Sequence, residues 1–302
     1  MRAHCPLIAL VTDTTDWHAR ALQRAFAAAG ARALPVSLPA GCFATPSAAG
    51  ISLPGFAESL PTAVLVRTLS GGSFEAVTLR LGLLHALREL GVTVWNEARA
   101  IERCVDKSMT SFLLARAGIP TPATWTTEQR DTAAEIVRSE PGPLVLKPLF
   151  GSQGRGLRLI RTPQDLPQPA EVAGVYYLQR FVGVERAGYQ DFRLLVSQGR
   201  VVAAMMRHAS HWITNVKQGG RPVAAMPDAA MRDLAVAAAA AVGAAFAGVD
   251  LIVGDDGPTV LEVNSMPAWS GLQKVTARPI AAVLADDLLA ALAARDRRGA
   301  VV

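Results

Sequence analysis

Lysine is scarce in this chain of 302 residues. Lysine and arginine together number 30, and four lysines leave 26 arginines. Lys107 stands just before an amphipathic helical segment, and Lys147 stands between an apolar run and a glycine-rich segment. Because an ammonium group binds phosphate as a compact point charge, we interpret these two lysines as candidate phosphate ligands.

Cysteine and long apolar runs are also limited. The three cysteines, Cys5, Cys42 and Cys104, are widely spaced and form neither a CxxC motif nor a Cys/His zinc pattern. This favours reduced thiols in a cytoplasmic protein. The N-terminus does not resemble a signal peptide. The alanine-rich, proline-free uncharged stretch over residues 234–249 has 16 residues, fewer than the roughly 20 that a membrane span needs. We expect it to form a buried helix.

The formal charge of +5 favours an anionic ligand. Aromatic residues make up 6% of the chain, and no block rich in lysine or arginine has aromatics interleaved with it. The sequence therefore gives no sign of a nucleic-acid surface. A nucleotide or a small acidic substrate fits the charge at least as well as a nucleic acid does.

The apolar pattern predicts an α/β region followed by α+β regions. Residues 1–97 alternate between strand and helix, as in a small and mostly parallel sheet. Later residues predict one helix over 101–118, a strand over 144–147, and hairpins within 191–206 and 249–263. We predict three domains: residues 1–97, residues 98–182 and residues 183–302.

A glycine-rich segment over residues 151–156 joins two predicted strands. It is neither a P-loop nor a dinucleotide fingerprint, because both require a helix directly after the glycines. Glycines permit close approach of the backbone, so amide groups can face phosphate oxygens. Taken alone, such a segment is more often a simple turn, and Lys147 directly before it favours a phosphate loop.

The second hairpin predicts a metal site. Side chains alternate along a strand, so Glu262 and Asn264 share a face, and the turn brings Asp250 opposite Glu262. Two carboxylates and an amide oxygen are ligands that Mg²⁺ prefers. Alternatively, Glu262 lies on the solvent face of an edge strand and Asp250 is a cap.

The first hairpin and the loop after it carry a third group of polar residues. Arg193 and Arg207 fall on adjacent predicted strands, and Asn215 lies in the loop before a Gly-Gly pair. Converging cations suit a transferred phosphoryl group and a substrate carboxylate. Alternatively, Arg207 is a surface residue. No Ser-His-Asp or Cys-His arrangement is convincing.

These motifs resemble the ATP-grasp superfamily, in the branch of the ribosomal-protein glutamate ligase RimK and the lysine-biosynthesis ligase LysX. That branch includes glutamate ligases that act on tetrahydromethanopterin and on the deazaflavin coenzyme. The similarity runs from about residue 90 to 285. The motifs that carry it are Asp106-Lys107, Gly118-Ile119-Pro120-Thr121-Pro122, the segment 147–156, Asp191-Phe192-Arg193, residues 211–215, Gly219-Gly220, Gly248-Val249-Asp250 and Glu262-Val263-Asn264.

The resemblance implies an N-terminal βα (pre-ATP-grasp) domain followed by a two-lobed ATP-grasp domain that clamps ATP. It implies that Arg193, Arg207 and Asn215 are catalytic residues that hold phosphate and acyl-phosphate oxygens. It implies two Mg²⁺ ions, with Mn²⁺ as a substitute, on Asp250, Glu262 and Asn264. The remaining nucleotide-binding residues implied by the resemblance are Lys107, Lys147, Ser152, Gln153, Gly154, Gly156, Gln179, Arg180, Phe181, Val182 and Asp191. Arg180 departs from the acidic residue that relatives commonly have there.

The implied activity is an ATP- and Mg²⁺-dependent carboxylate–amine ligase that forms an amide through an acylphosphate. The expected amine is L-glutamate, and the expected acceptor is a small acidic coenzyme precursor that binds the N-terminal domain near residues 13–17 and 67–73. A ligase acting on a peptide or carrier-protein C-terminus, a carboxylate kinase and a non-catalytic ATP-binding regulatory protein are the alternatives. The resemblance also implies a homo-oligomer, a dimer or tetramer. From the composition and the apolar runs we expect no nucleic-acid or membrane partner.

Overall fold

The computed structural model describes residues 5–56, 59–151, 154–183, 188–254 and 256–299. The chain divides into two compact units. Unit 1 comprises the described parts of residues 1–101, 244–246 and 266–302, and unit 2 those of residues 102–243 and 247–265. The predicted domain of residues 1–97 falls within unit 1. Residues 266–302, which we predicted to belong to the last domain, also belong to unit 1, because the C-terminal helix packs on the first helix of the chain.

The described elements fall in the order expected of a βα region followed by α+β regions. The strands are β1 (Leu7–Val11), β2 (Arg32–Val36), β3 (Cys42–Phe43), β4 (Ile51–Ser52), β5 (Ala63–Val66), β6 (Thr93–Trp95), β7 (Thr124–Thr127), β8 (Leu144–Lys147), β9 (Arg158–Ile160), β10 (Tyr176–Arg180), β11 (Tyr189–Ser197), β12 (Arg200–Ala209), β13 (Arg221–Ala224), β14 (Phe246–Gly254) and β15 (Gly257–Asn264). The helices are α1 (Trp17–Ala28), α2 (Phe74–Glu89), α3 (Ala98–Val105), α4 (Lys107–Arg116), α5 (Arg130–Ser139), α6 (Ala229–Val242), α7 (Ser270–Gln273) and α8 (Ile280–Gly299).

Unit 1 is built on a parallel four-stranded sheet with the order β2-β1-β5-β6. Strands β1 and β5 are central and almost entirely apolar and buried, as expected for a parallel sheet covered on both faces. The chain passes from β1 to β2 on one side and later returns to β5 on the other side of β1. The order in which the chain adds strands to the sheet therefore reverses between β1 and β5.

Unit 2 contains two sheets. The strands β7-β10-β8-β9 form an antiparallel sheet that packs against α5. The strands β13-β12-β11-β14-β15 form a second sheet, against which α6 packs. The predicted boundary between residues 182 and 183 falls between the last strand of the first sheet and the first strand of the second.

The predicted helix over residues 101–118 is wrong in one respect: it is two helices. Asp106 has an extended backbone between α3 and α4, and its carboxylate accepts hydrogen bonds from Ser108 N at 2.8 Å and Met109 N at 3.2 Å. An aspartate at such a helix start is a strong N-cap. The break makes Lys107 the first residue of α4 and buries it.

The uncharged stretch over residues 234–249 is helical only in its first part. The buried face of α6 includes Ala235, Ala238 and Val242, and Gly243 ends the helix with φ +78°. The chain then enters β14, so the expectation of one buried helix holds only up to Val242. None of the helices in the described residues combines the length and apolar character needed to span a membrane.

Candidate active site

A cavity of about 300 Å³ lies in unit 2 and is lined by strands of both sheets and by loops between them. It collects most of the residues that the sequence singled out. The predicted site residues that line it are Lys107, Lys147, Gly154, Gln179, Arg180, Phe181, Val182, Asp191, Arg207, Asn215, Asp250 and Glu262. Gly156, Arg193 and Asn264 do not line it. Ser152 and Gln153 lie outside the described residues.

Two arginines and two aspartates form a buried cluster on one face of the five-stranded sheet. Asp191 lies opposite Arg207 in the register of β11 and β12, and Arg193 lies two residues further along β11, so the three side chains share a face. Arg207 Nε donates to Asp191 Oδ1 at 2.7 Å, and Arg207 Nη2 contacts the second oxygen of Asp191. Arg193 donates from Nε and Nη2 to the two oxygens of Asp250, at 2.7 and 2.6 Å.

The same cluster fixes the charge of Asp250. Burial would raise the pKa of this carboxyl, but Arg193 and Arg207 outweigh burial and hold the pKa at about 2. Arg207 Nη2 also lies 3.0 Å from Asp250 Oδ2. Asp250 is therefore an anion held in place by two cations. The alternative that Arg207 is a surface residue is excluded, since its side chain is 2% exposed.

Asp250 and Glu262 lie directly opposite each other in the antiparallel pair of β14 and β15, as the sequence predicted. Both line the cavity, which argues against Glu262 as a purely solvent-facing residue. The nearest recorded cation to Glu262 is Lys107, with Nζ 4.0 Å from Oε1. Glu262 is therefore a carboxylate that the described protein groups leave largely uncommitted.

These residues fit a divalent cation. The buried Nδ2 atom of Asn264 has no hydrogen-bond partner among the described residues, so its amide is not committed to the protein. Asn264 lies one pair along from Asp250 and Glu262 in the register, opposite Gly248. Two carboxylates and an amide on neighbouring strands match the oxygen ligands of Mg²⁺. Asp250 and Glu262 are the two acidic residues of this group, and the third ligand is an amide. The described residues contain no cluster of three or more His, Cys, Asp or Glu side chains that could hold a metal ion.

The two lysines have different surroundings. Lys107 Nζ donates to the carbonyls of Leu149 and Gly151, at 3.3 and 2.9 Å, and so holds the first part of the glycine-rich segment. Lys147 Nζ makes no hydrogen bond or ion pair with a described residue. Burial lowers the pKa of Lys147; Glu262 opposes that effect and Lys107 adds to it. Lys147 is therefore a cation in the cavity wall that no described protein group pairs with.

The glycines of the segment are required by close packing. A Cβ atom on Gly154 would lie 2.6 Å from Asn215 Oδ1 and 2.8 Å from Ile213 Cγ2, and Gly154 has φ +71°. A Cβ atom on Gly156 would lie 2.9 Å from Pro148 Cγ. The segment therefore packs directly on the loop that carries Asn215, and only glycine permits this approach.

The chain between the two sheets forms one wall of the cavity. Gln179 is buried at 2% exposure, and the backbone N–H groups of Arg180 and Phe181 already donate to Ala123 O and Pro143 O. The N–H of Val182 has no such backbone partner among the described residues. The Arg180 guanidinium is paired with Glu140 at 2.8 Å, which accounts for a basic residue at this position.

The sequence analysis placed Phe181 among the nucleotide-binding residues but gave no role to Trp212, the other aromatic residue of this wall. Phe181 and Trp212 meet edge to face, with ring centroids 6.1 Å apart, and both line the cavity. Such a pair offers a flat apolar contact for a planar ring. The signal was present, because Trp212 belongs to the motif over residues 211–215, but a contact between residues so far apart along the chain requires the fold.

Comparison with known families decides the identity of the fold. A model of the RimK-like ATP-grasp domain matches residues 104–288. The chain belongs to the RimK-like ATP-grasp family. The predicted family and fold class are thereby confirmed, and the chain is an ATP-dependent carboxylate–amine ligase with an N-terminal βα domain and an ATP-grasp domain.

Individual relatives agree with this assignment. The chain is 35% identical over 204 residues to a tetrahydromethanopterin:alpha-L-glutamate ligase of Methanococcus maripaludis. This alignment covers 66% of this chain and 70% of the relative. It is 30% identical over 305 residues to the ligase of the same name from Methanosarcina acetivorans, covering 87% of this chain and 92% of the relative. A solved structure of the ATP-grasp ligase PsnB, complexed with minimal precursor, Mg and ADP, has the same fold, with a TM-score of 0.72, 22% identity, and coverage of 95% of this chain and 97% of PsnB.

Proposed function

We propose that this RimK-like protein uses ATP and Mg²⁺ to join L-glutamate to a carboxylate of a small acidic coenzyme precursor, through an acylphosphate. The observation that carries the proposal is the similarity to the Methanosarcina acetivorans ligase over 87% of this chain and 92% of that one. A similarity of that extent includes the N-terminal part, which lies outside the residues matched by the family model.

The cavity has the parts that a nucleotide triphosphate needs. The Val182 N–H supplies a donor for an adenine edge, beside the Phe181–Trp212 pair. Lys147 supplies a cation for phosphate oxygens, and the glycine-rich segment closes over them while Lys107 holds its first residues. Each group acts by position and charge, which is what phosphoryl transfer requires.

The metal would be held by Glu262, Asp250 and Asn264. Bound there, Mg²⁺ supplies positive charge that neutralises the phosphate oxygens during transfer. Asp250 can serve without losing its arginines, because a carboxylate has about four lone-pair positions and the two guanidinium groups occupy three of them. One position on Oδ1 is left.

The arginines are held by their aspartates in a fixed orientation. Arg207 and Arg193 use Nε and Nη2 to bind carboxylates, and the Nη1 group of each makes no hydrogen bond with the described protein. Arg207 lines the cavity, so its Nη1 is the donor for the transferred phosphoryl group, with Asn215 beside the glycine-rich segment. Arg193 holds the Asp250 carboxylate in place and adds positive charge next to it.

The reaction then needs no protein nucleophile. An oxygen of the acceptor carboxylate attacks the γ-phosphorus, the bond to the bridging oxygen breaks, and ADP leaves. The glutamate amine attacks the acyl carbon, phosphate leaves with the former carboxylate oxygen, and the amine loses a proton. The described residues that line the cavity include no cysteine, serine or histidine, which agrees with this route.

The test is ADP release by the purified chain with ATP, Mg²⁺, L-glutamate and a panel of acids, followed by mass spectrometry of the products. The panel contains pterin and furan acids on one side and peptides with free C-termini on the other. The proposal predicts that ADP release requires both an acid and glutamate, and that a small acid gains a glutamyl residue. Release with an acid alone would indicate a kinase, and modification restricted to peptides would indicate a peptide ligase; either result contradicts the proposal.

A further inference from the structure

Unit 1 has its own candidate ligand position, at the point where the strand order of its parallel sheet reverses. In open parallel sheets, ligands bind beyond the carboxyl ends of the strands where the strand order reverses. Here that point lies between β1 and β5. The chain just after β5 is joined to the end of β1 and the residue after it: Arg67 N donates to Val11 O at 2.9 Å, and Thr68 Oγ1 donates to Thr12 Oγ1 at 3.4 Å.

Arg67, the residue that follows β5, is a buried cation with no ion pair to a described carboxylate. It is 6% exposed, and the one hydrogen bond that its guanidinium makes to a described residue runs from Nη1 to Met266 O at 3.4 Å. Its Nε atom has no partner, and no carboxylate among the described residues forms an ion pair with it. A buried charge is normally paired, because leaving it unpaired costs several kcal/mol.

The nearby acid is already committed. Asp16 Oδ1 accepts from Ala19 N at 2.8 Å, and Asp16 Oδ2 contacts His18 Nδ1 at 2.9 Å. His18 Nε2 accepts from Trp269 N at 3.2 Å, so His18 is neutral with its proton on Nδ1. Asp16 therefore attracts Arg67 from a distance but does not neutralise it.

A second unpaired donor lies beside Arg67. The Arg67 guanidinium stacks on the ring of Trp269, with Cζ 5.2 Å from the centroid. Trp269 is 1% exposed, and its indole Nε1 has no hydrogen-bond partner among the described residues. The buried hydroxyl of Ser70, three residues beyond Arg67, also lacks one. Buried donors without partners are rare in folded proteins.

We propose that Arg67 and the Trp269 indole N–H bind a carboxylate of the acid substrate; the identity of the ligand as that substrate rests on the proposed function. A carboxylate accepts hydrogen bonds on two oxygens and carries the single negative charge that Arg67 requires. A phosphate dianion suits the position less well, because Asp16 already contributes negative charge nearby.

The binding test uses the full chain without nucleotide, labelled with ¹⁵N at its five tryptophans. A Trp269→Phe variant assigns the Trp269 indole resonance. Glutarate is titrated to about 10 mM, a tenfold excess over a millimolar Kd. Glutaramide, which is uncharged and has the same length, is the matched control, and inorganic phosphate is a third ligand.

The proposal predicts a saturable shift of the Trp269 indole resonance with glutarate, none with glutaramide, and a weaker response with phosphate. Arg67→Gln should abolish the shift and Arg67→Lys should retain a weaker one, while the other four indole resonances show that each variant is folded. An unmoved Trp269 resonance, or a glutarate shift that persists in Arg67→Gln, would overturn the proposal.

Kinetics separate this site from the ligase assignment. In the ligase assay, Arg67→Gln should raise the KM for the acid by about 10- to 100-fold, the loss expected for hydrogen bonds to a charged group. The KM values for ATP and for glutamate should stay within about twofold. An active ligase whose acid KM is unchanged in Arg67→Gln refutes the site alone. Arg67-dependent glutarate binding by a chain without ligase activity upholds the site and refutes the proposed function.

Discussion

Arg193 forms a bidentate ion pair with the Asp250 carboxylate, and Glu262 lies opposite Asp250 on the neighbouring strand. Arg193 holds both oxygens of Asp250, at 2.7 and 2.6 Å, and Glu262 occupies the position directly opposite Asp250 in β15. One carboxylate of the pair is thus bound to the protein and the other is largely free. The two should respond differently to the same chemical change.

Asp250→Asn removes the charge that pairs with two buried guanidinium groups. Breaking a buried ion pair from one side costs about 3–5 kcal/mol. Glu262→Gln makes the same exchange of carboxylate for amide at a half-buried residue whose recorded ion-pair partner, Lys107, lies 4.0 Å away, and we expect a loss below about 1 kcal/mol. Urea unfolding monitored by circular dichroism measures both. Equal losses in the two variants would contradict the distinction between the bound and the free carboxylate.

Lys147 and Lys217 provide a matched pair of lysine substitutions. Lys147 lines the cavity without a partner among the described residues, whereas Lys217 is exposed and does not line it. We expect Lys147→Gln to weaken ATP binding by about tenfold or more, because a charged hydrogen bond contributes about 1.5–3 kcal/mol. Lys217→Gln should leave ATP affinity unchanged. Fluorescence titration with a labelled ATP analogue measures both, and similar effects of the two substitutions would refute the phosphate role of Lys147.

Gly154→Ala should separate close packing from backbone strain. Gly154 and Gly174 have positive φ values of +71° and +79°, but a Cβ atom meets Asn215 and Ile213 at Gly154 and nothing within 4 Å at Gly174. Both alanine variants should lose about 1 kcal/mol of stability from the backbone conformation. Only Gly154→Ala should also raise the KM for ATP. Equal KM values in the two variants would show that the segment does not close on Asn215.

Several parts of this structure could be predicted from the sequence because they are local. The alternation of strands and helices in the first hundred residues, the hairpin that pairs Asp250 with Glu262, and the strand ending at Lys147 all follow from periodicity and turn residues. The break at Asp106 could also have been read, because an aspartate two residues before Ser108 is a helix-start signal. We predicted one helix because apolar residues at helical spacing continue on both sides of Asp106.

Other parts depend on contacts between distant residues. The strands β7 and β13 have four residues each and none of them is buried, so their pairing partners define them more than their own sequence does. The ion pairs of Arg207 with Asp191 and Asp250 require three strands to meet, and the stacking of Arg67 on Trp269 joins residues at opposite ends of the chain. No spacing rule predicts such contacts.

His18 should titrate below the usual histidine range. Burial lowers the pKa of His18 from 6.5, the charge of Arg67 adds to this, and Asp16 opposes both. The unfolded chain therefore takes up a proton at a pH where folded His18 stays neutral. The contribution of His18 to stability is full above pH 6.5 and is lost as the pH falls below it. An NMR titration of the His18 ring and the pH dependence of unfolding for His18→Gln test this; a pKa above 6.5 would contradict it.

The central claim is that the unit 2 cavity binds ATP together with Mg²⁺ on Glu262. Isothermal titration of the full chain with a non-hydrolysable ATP analogue, in Mg²⁺ and in EDTA, tests it most directly. We predict that Mg²⁺ increases the affinity at least about tenfold, which is about 1.4 kcal/mol, and that Glu262→Gln removes this increase while remaining folded. Equal affinities in Mg²⁺ and EDTA for the unaltered chain, or an undiminished Mg²⁺ effect in Glu262→Gln, would contradict the claim.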